Sequence, residues 1–288
     1  MTANNAINGC ADREAVRSLP VYDSAAVHGP MRDAFWELIR YKDLLRLLVV
    51  TNIKARYKRS VLGMAWTLLN PLLMMIVMTI AFSALFRFSL PHYPVYVLSG
   101  LVLWQFFTQT TTHAMNQLAW GNDLLKKVYI PPTVFPVSAV GTGLVNLGLS
   151  VIPLAIIMLV IRHPFTWALL WLPVSVFLIS LFCIGLGLLI SIIAVFFSDF
   201  VQMYGVILRI WFFLTPVMYP ERILPERFVW IVKMNPMYHL MRCWRDPIYL
   251  STLPPIESVL VCVVSAFGTL FLGWWLFSRK LHEFAVRA

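Results

Sequence analysis

The chain has 288 residues, of which 60% are hydrophobic and 12% are charged, and its formal net charge is +10. A soluble domain carries about 25% charged residues, so this composition excludes a water-soluble globular protein and indicates one that crosses a membrane several times. The positive charge then indicates membrane topology and attraction to anionic lipid, and no basic stripe with interleaved aromatic residues points to nucleic acid.

Residues 1–60 precede the first long apolar run and divide into two parts. Residues 1–30 are polar, with Pro20, Gly29 and Pro30, and predict a flexible tail without a signal peptide. Residues 31–60 predict an amphipathic interfacial helix, in which Lys42 and Arg46 reach lipid phosphates from the apolar face. The apolar residues recur about every 3.6 positions: Phe35, Leu38, Ile39, Leu45, Val49 and Ile53.

Residues 61–288 contain six apolar runs of the length that crosses a bilayer, which takes about 20 helical residues. They cover residues 62–86, 95–114, 133–161, 165–197, 203–219 and 256–277. The predicted fold class is therefore an all-α integral membrane protein with six transmembrane helices. Fifteen Lys and Arg residues fall on the side of the termini and seven on the other side, so both termini are predicted to be cytoplasmic.

Residues 220–250, between the fifth and sixth spans, predict an outer re-entrant helical segment. Prolines divide it into pieces too short to cross a bilayer: Pro220, Pro225, Pro236 and Pro247. Its apolar residues have i, i+3, i+4, i+7 spacing: Met237, Leu240, Met241 and Trp244. Its polar residues are expected on the other faces, near the lipid headgroups: His239, Arg242, Arg245 and Asp246.

Catalytic and metal-binding motifs are missing from the sequence. It has no GxxxxGK[ST] loop, no HExxH and no paired carboxylates, so we expect no catalytic residues, no metal and no cofactor on this chain.

The spacing of the four cysteines implies no disulfide framework. Gly141, Gly185 and Gly187 are interpreted as sites of close helix packing, and Asp199 with Gln202 has the spacing of a capping box.

Two features of the spans leave alternatives open. Arg209 lies within the fifth span and either reaches back to the headgroups or lines a passage. Aromatic residues make up 14% of the chain and either form interfacial belts or offer flat faces on which sugar rings slide. They cluster at two places: Trp104, Phe106 and Phe107, and Trp211, Phe212 and Phe213.

Four stretches resemble the permease subunits of type-2 ABC exporters, in the branch that exports O-antigen, teichoic acid and related lipid-linked polysaccharides. They are IKARYKRSVLGMAWTLLNPLL (53–73), DLLKKVYIPPTVFPVSAV (123–140), FLTPVMYP (213–220) and MNPMYHLMRCWRDPIY (234–249). The resemblance extends over about residues 31–288 with six spans in the same order. The sequence departs from the family at Pro132–Thr133, where members often carry a charged pair, so a salt bridge to a partner is not supported there.

The resemblance implies a homodimer in the inner (cytoplasmic) membrane that binds two copies of a separate ABC ATPase subunit, which holds ATP and Mg. The implied function is that of a permease for undecaprenyl-diphosphate-linked polysaccharide similar to O-antigen, moved through a homodimer channel by ATP hydrolysis on the partner. The alternatives are export of teichoic acid or capsule, export of a small lipid or drug, and a non-transporting scaffold.

The resemblance also assigns site residues. A lipid-diphosphate site, or an anchor worth about 1 kcal/mol per cation, comprises Lys54, Arg56, Tyr57, Lys58 and Arg59. The channel lining comprises Trp66, Arg209, Trp211, Phe212 and Phe213. The outer gate comprises Met237, Tyr238, Arg242 and Trp244. Coupling to the ATPase is assigned, beside the interfacial helix, to Asp123, Leu124, Leu125, Lys126, Lys127 and Tyr129.

Overall fold

The computed structural model describes residues 40–58, 63, 65–86, 92–120, 132–223 and 225–287, and every regular element among them is a helix. The α-helices are α1 (Lys42–Tyr57), α2 (Ala65–Phe86), α3 (Tyr93–Trp120), α4 (Val134–Val160), α5 (Leu172–Phe196), α6 (Phe200–Leu214), α7 (Glu226–Met234), α8 (Pro236–Arg245) and α9 (Ile256–Arg287). Short 3₁₀ helices cover Trp167–Trp171 and Glu221–Ile223, and a π-helical turn covers Asp246–Leu250.

Three helical segments of the described chain are long and apolar enough to cross a membrane: Val134–Val160, Trp167–Phe196 and Ile256–Lys280. Shorter apolar stretches lie in α2 (Ala65–Ala81) and α6 (Phe200–Leu214). The described helices thus support an integral membrane protein, and the count of six spans stays a prediction.

The fifth predicted span, 203–219, is wrong at its end, because α6 stops at Leu214 and Thr215 is extended. The 15 residues of α6 rise about 22 Å, less than the roughly 30 Å of a hydrocarbon core. The capping-box prediction is also wrong, since α6 begins after Asp199 but the Asp199 side chain makes no cap hydrogen bond.

Helix α3 lies at the centre of the bundle and packs against α2, α4, α5 and α6. Its N-terminal half is buried on all sides from Val95 to Trp104. Several of its hydroxyl groups donate to carbonyls of the same helix: Ser99 to Tyr96 at 2.9 Å, Thr108 to Trp104 at 3.0 Å and Thr111 to Phe107 at 2.9 Å. Because these hydroxyls have local acceptors, α3 can pass through an apolar interior.

Helices α5 and α9 pack so closely that their backbones leave no room for a side chain at the contact. A Cβ added at Gly185 would overlap the backbone of Thr269 and Leu270, and one added at Gly273 would overlap the backbone of Gly185. The interpretation of Gly185 as a close-packing position is therefore confirmed.

Helix α1 packs against α4 through the apolar face that the periodicity predicts. A Cβ added at Gly141 would lie 2.9 Å from Val49 Cγ2, so these helices approach closely. Gln117 of α3 connects both helices, because its Nε2 donates to Asn52 Oδ1 and its Oε1 accepts from Ser138 Oγ, each at 3.4 Å. The side of α1 opposite this contact is exposed.

We expect Gly185→Ala to destabilise the protein, because the new methyl group meets α9 backbone that cannot rotate away. Overpacking of this kind costs about 1–3 kcal/mol. The measurement is the midpoint of thermal unfolding of the solubilised protein. Gly268→Ala is the matched control, since nothing lies within 4 Å of its added Cβ; equal midpoints for the two variants would contradict the α5–α9 contact.

Candidate functional site

The chain leaves helical geometry between α6 and the 3₁₀ turn at Glu221, and side chains from α3 hold it there. The Tyr93 hydroxyl donates to the carbonyl of Met218 at 2.9 Å, and the Tyr96 hydroxyl donates to the carbonyl of Tyr219 at 2.9 Å. We call residues 215–220 the unwound turn. Its carbonyls need such donors because no helical N–H groups follow them.

Arg245, the last residue of α8, supplies two more donors to the unwound turn. Its guanidinium donates to the carbonyls of Pro216 at 2.7 Å and Val217 at 2.8 Å, and it lies over the Tyr96 ring at 4.0 Å. The side chain is buried. A Cβ at Gly100 would overlap this guanidinium, so α3 carries glycine where the cation lies.

The two ends of α8 are also tied to neighbouring helices. Asn235 caps its start: the Oδ1 atom accepts from the backbone N–H of Met237 at 3.0 Å and from Trp211 Nε1 at 2.8 Å. Near its end, Trp244 Nε1 donates to the carbonyl of Ser99 at 3.0 Å. Helix α8 is therefore a fixed part of the bundle.

A pocket of about 380 Å³ lies beside Arg245. We call it the tyrosine pocket, after Tyr96, Tyr238 and Tyr249, which line it. Four charged residues also line it: Glu221, Arg242, Arg245 and Asp246.

A chain of polar contacts runs along the wall of the tyrosine pocket. The Tyr238 hydroxyl donates to Glu221 Oε2 at 2.7 Å, and Arg242 donates to that hydroxyl at 3.3 Å and to Asp246 Oδ2 at 3.4 Å. Burial raises the pKa of the Tyr238 phenol to about 12, and its hydrogen bond to Glu221 acts in the same direction. Burial also raises the pKa of the Asp246 carboxyl, against the opposing effect of Arg242.

A second concavity, of about 390 Å³, opens between α2, α3 and α6, and we call it the lateral cleft. Its wall includes Asn70 and Met74 of α2, Trp104, Gln105 and Thr108 of α3, and Arg209, Phe212 and Phe213 of α6. The ring centroids of Trp104 and Phe212 are 5.4 Å apart, and those of Phe212 and Phe213 are 5.6 Å apart. The cleft thus combines flat aromatic faces with amide and hydroxyl groups.

Large apolar side chains on α2 and α6 are exposed beside the lateral cleft. On α2 they are Trp66, Leu73, Met74, Ile76, Val77 and Ile80, and on α6 they are Met203, Val206, Ile207, Ile210, Phe213 and Leu214. Exposed apolar faces of this kind on a transmembrane bundle contact either lipid or another protein.

The predicted channel residues are only partly brought together. Arg209, Phe212 and Phe213 line the lateral cleft. Trp211 instead packs edge to face against Phe107 at 5.2 Å. Trp66 is half exposed on α2 and is not part of the cleft wall.

The predicted outer-gate residues separate into two pairs. Tyr238 and Arg242 line the tyrosine pocket, whereas Met237 and Trp244 are fully buried in the apolar core. The expectation that Arg245 turns away from the packed face of α8 is wrong: α8 is buried on nearly every side, and Arg245 finds its partners inside the protein.

Several other predicted residues cannot be placed in a site. Lys54 and Lys58 are exposed at the C-terminal end of α1. Arg56 and Tyr57 belong to α1, but their side chains lie outside the described residues. Arg59 and the coupling residues between Asp123 and Tyr129 also lie outside the described residues, and these assignments stay predictions.

Residues of both concavities have no site assignment from the sequence. Leu101, Trp104, Gln105 and Thr108 line the cleft at i, i+3, i+4 and i+7, a pattern that helical periodicity could have revealed. Tyr96 of α3, Glu221 of the 3₁₀ turn, and Asp246 with Tyr249 of the π-helical turn come from three separate elements, and no local spacing connects the three.

A bundle of long apolar helices with an unwound, side-chain-tied turn is typical of a membrane transport protein. The family model described as ABC-2 type transporter matches residues 43–249. This is more than half of the chain, and the chain belongs to that family of transporter permeases.

Named relatives are similar over most of their length. The O-antigen export system permease protein RfbA of Myxococcus xanthus is 32% identical over 251 residues, which cover 86% of this chain and 96% of that protein. An O-antigen export system permease protein RfbA of Klebsiella pneumoniae is 27% identical over 84% of this chain and 94% of that protein. The capsule polysaccharide export inner-membrane protein CtrC of Neisseria meningitidis is 24% identical, with 84% and 92% covered.

We expect Arg245→Met to lower the thermal stability of the protein and Arg227→Met to leave it unchanged. The first substitution removes donors from two buried carbonyls, at about 1.5–3 kcal/mol for each charged hydrogen bond. The second changes an exposed arginine of α7. Arg245→Lys should give an intermediate midpoint because an ammonium lacks the planar fork, and equal stability for all three variants would contradict this role.

Proposed function

We propose that this protein is the permease subunit of an ATP-driven polysaccharide exporter in the inner membrane, and that its cargo is a glycan carried on undecaprenyl diphosphate. The observation that carries the proposal is the similarity to the O-antigen export permease of Myxococcus xanthus over 96% of that protein's length. ATP hydrolysis is assigned to a separate ABC ATPase, of which two copies bind a permease homodimer.

The length of α3 supports an orientation in which the tyrosine pocket and α1 lie on opposite sides of the membrane. Tyr96 of the tyrosine pocket and Gln117 beside α1 are 21 positions apart, which corresponds to about 31 Å of helix rise. This is about the thickness of a hydrocarbon core. With the basic residues of α1 on the cytoplasmic side, the tyrosine pocket lies at the outer end.

The exposed faces of α2 and α6 support a channel at a homodimer interface. A polymer chain needs a continuous path, and aromatic faces allow sugar rings to slide with little directional matching. Two lateral clefts brought together by a symmetric partner enclose such a path between Trp104, Phe212 and Phe213 of each copy. Arg209 then contacts the passage.

The basic residues at the C-terminal end of α1 and just after it are proposed to receive the diphosphate of the carrier lipid. Lys54 and Lys58 are exposed there, and Arg56 and Arg59 supply guanidinium forks that suit phosphate oxygens. The residues from Asp123 to Tyr129 are proposed to meet the ATPase on the same side of the membrane.

Deletion of the gene should trap lipid-linked polymer in the cytoplasm and remove the polysaccharide from the cell surface. The measurement is extraction of the carrier-lipid fraction, with complementation by the intact gene as the control. Normal surface polysaccharide in the deletion strain would contradict the function.

Arg56→Gln combined with Arg59→Gln should reduce export at least tenfold while membrane insertion stays normal. The matched control is Arg40→Gln with Arg46→Gln, which removes the same charge from the first half of the interfacial helix. Surface polysaccharide and the amount of protein in membranes are measured for both variants. If the two double variants export equally well, Arg56 and Arg59 serve only to anchor the protein to the membrane.

Cross-linking should test the homodimer interface. Ile210→Cys is expected to yield a covalent dimer with a short bis-maleimide, because Ile210 is exposed on α6. Trp167→Cys, exposed before α5, is the control and should remain monomeric. Both variants carry Cys10→Ser, and the other native cysteines are buried. A covalent dimer from Trp167→Cys and none from Ile210→Cys would contradict an interface at α6.

A further inference from the structure

The tyrosine pocket is a concavity of its own, and the channel proposed above does not use it. Its volume of about 380 Å³ falls in the range of small-molecule pockets, about 300–1,000 Å³. It lies near the lateral cleft: Tyr96 precedes Leu101 of the cleft by five positions on α3, about 7.5 Å of helix rise.

The charges that line the pocket indicate the kind of ligand. Two arginines and two carboxylates give a formal charge of zero: Arg242, Arg245, Glu221 and Asp246. Phosphate sites have an excess of positive donors and hard-cation sites an excess of carboxylates. A balanced set favours a neutral ligand with many hydrogen-bonding groups.

Asp246 has hydrogen-bonding capacity that the described residues do not fill. It is 6% exposed, and the side-chain bond that the structure gives it among these residues is the one from Arg242 at 3.4 Å. A typical N–H···O distance is about 2.9–3.0 Å, and a carboxylate accepts about four hydrogen bonds. Buried acceptors normally find donors, and the hydroxyl groups of a ligand would supply them.

Arg245 is held in place, because each of its terminal nitrogens donates one hydrogen bond to the unwound turn. Arg242 is less buried, and it is held at the pocket wall by its hydrogen bonds to the Tyr238 hydroxyl and the Asp246 carboxylate. The charged wall is therefore held in place before any ligand binds, which lowers the entropic cost of binding.

The tyrosines add flat apolar faces to this polar wall. The rings of Tyr96 and Tyr249 meet edge to face, with centroids 5.1 Å apart and planes at 77°. Arg245 lies over the Tyr96 ring at 4.0 Å, and the His163 ring stacks on Tyr249 with centroids 6.3 Å apart, so the ring surface left for a ligand is the second face of Tyr249. A pyranose has the matching surfaces, an apolar C–H face and a rim of hydroxyl groups.

We propose that the tyrosine pocket binds a neutral sugar residue of the transported glycan after it leaves the lateral cleft. Asp246 and Glu221 accept hydrogen bonds from its hydroxyl groups, and Tyr249 packs against its C–H face. This inference rests on the proposed function for the identity of the ligand, and its chemistry rests on the pocket alone.

The test uses the full chain in lipid nanodiscs and end-labelled oligosaccharides released by mild acid from the surface polysaccharide of the source cell. The wild-type protein should bind them, and Asp246→Asn and Glu221→Gln should each weaken binding at least tenfold. The matched control is Glu257→Gln, an exposed carboxylate at the start of α9, which should bind as the wild type does.

Leu250→Trp is a second way to close the pocket. Leu250 lines it and is 55% exposed, so a larger side chain fills the space without touching the chain of polar contacts. Binding should fall at least tenfold while the unfolding midpoint stays unchanged. This variant decides the question if Asp246→Asn does not fold.

Three results would overturn the inference: no oligosaccharide binding to the wild type, binding unaffected by the pocket variants, or displacement of the oligosaccharide by inorganic phosphate. The last would make the pocket an anion site. A deletion strain that still displays its polysaccharide defeats the proposed function itself. A deletion strain that loses surface polysaccharide, combined with pocket variants that bind normally, defeats only the pocket assignment.

Discussion

One end of the helix bundle depends on two hydrogen bonds from a buried guanidinium. Ending α6 at Leu214 leaves the carbonyls of the unwound turn without helical donors, and in an apolar environment each such group costs several kcal/mol. Arg245 donates to two of these carbonyls at once. A planar fork with five donors suits this task better than a point charge, and the Tyr96 ring below it completes the contact.

This arrangement divides the molecule into a fixed part and an exposed part. Helix α8 is held at both ends by Asn235 and Trp244, and α5 is held to α9 by glycine contacts that leave no room for movement. Helices α2 and α6, in contrast, keep broad apolar faces exposed. The lateral cleft therefore lies beside helices with exposed faces, and the tyrosine pocket beside a helix that packs against several neighbours.

The sequence predicted the features that follow from local periodicity. The apolar face of α1 packs where the pattern at Val49 indicates, and Gly185 lies at a close helix contact. The end of α6 was mispredicted because hydropathy continues through Val217 and Met218, although Pro216 already restricts Thr215 to extended geometry. The burial of Arg245 could not be predicted, because its acceptors lie almost thirty positions away. The apolar spacing in α8 identifies one buried face, but it does not reveal that the polar faces of this helix are buried as well.

The distribution of charge along the bundle connects the two proposals. A lipid-linked glycan has a diphosphate at one end and neutral rings along its length, so it needs concentrated positive charge at one place and little along the rest of its path. Exposed lysines lie at the C-terminal end of α1, and Arg209 is the one charged side chain in the described wall of the lateral cleft. The tyrosine pocket has balanced charges, and its Tyr96 is about 31 Å of helix rise from Gln117, which contacts α1. An excess of positive charge at that outer end would hold the diphosphate after the sugars had passed, whereas a neutral wall binds each ring weakly and lets the next one follow.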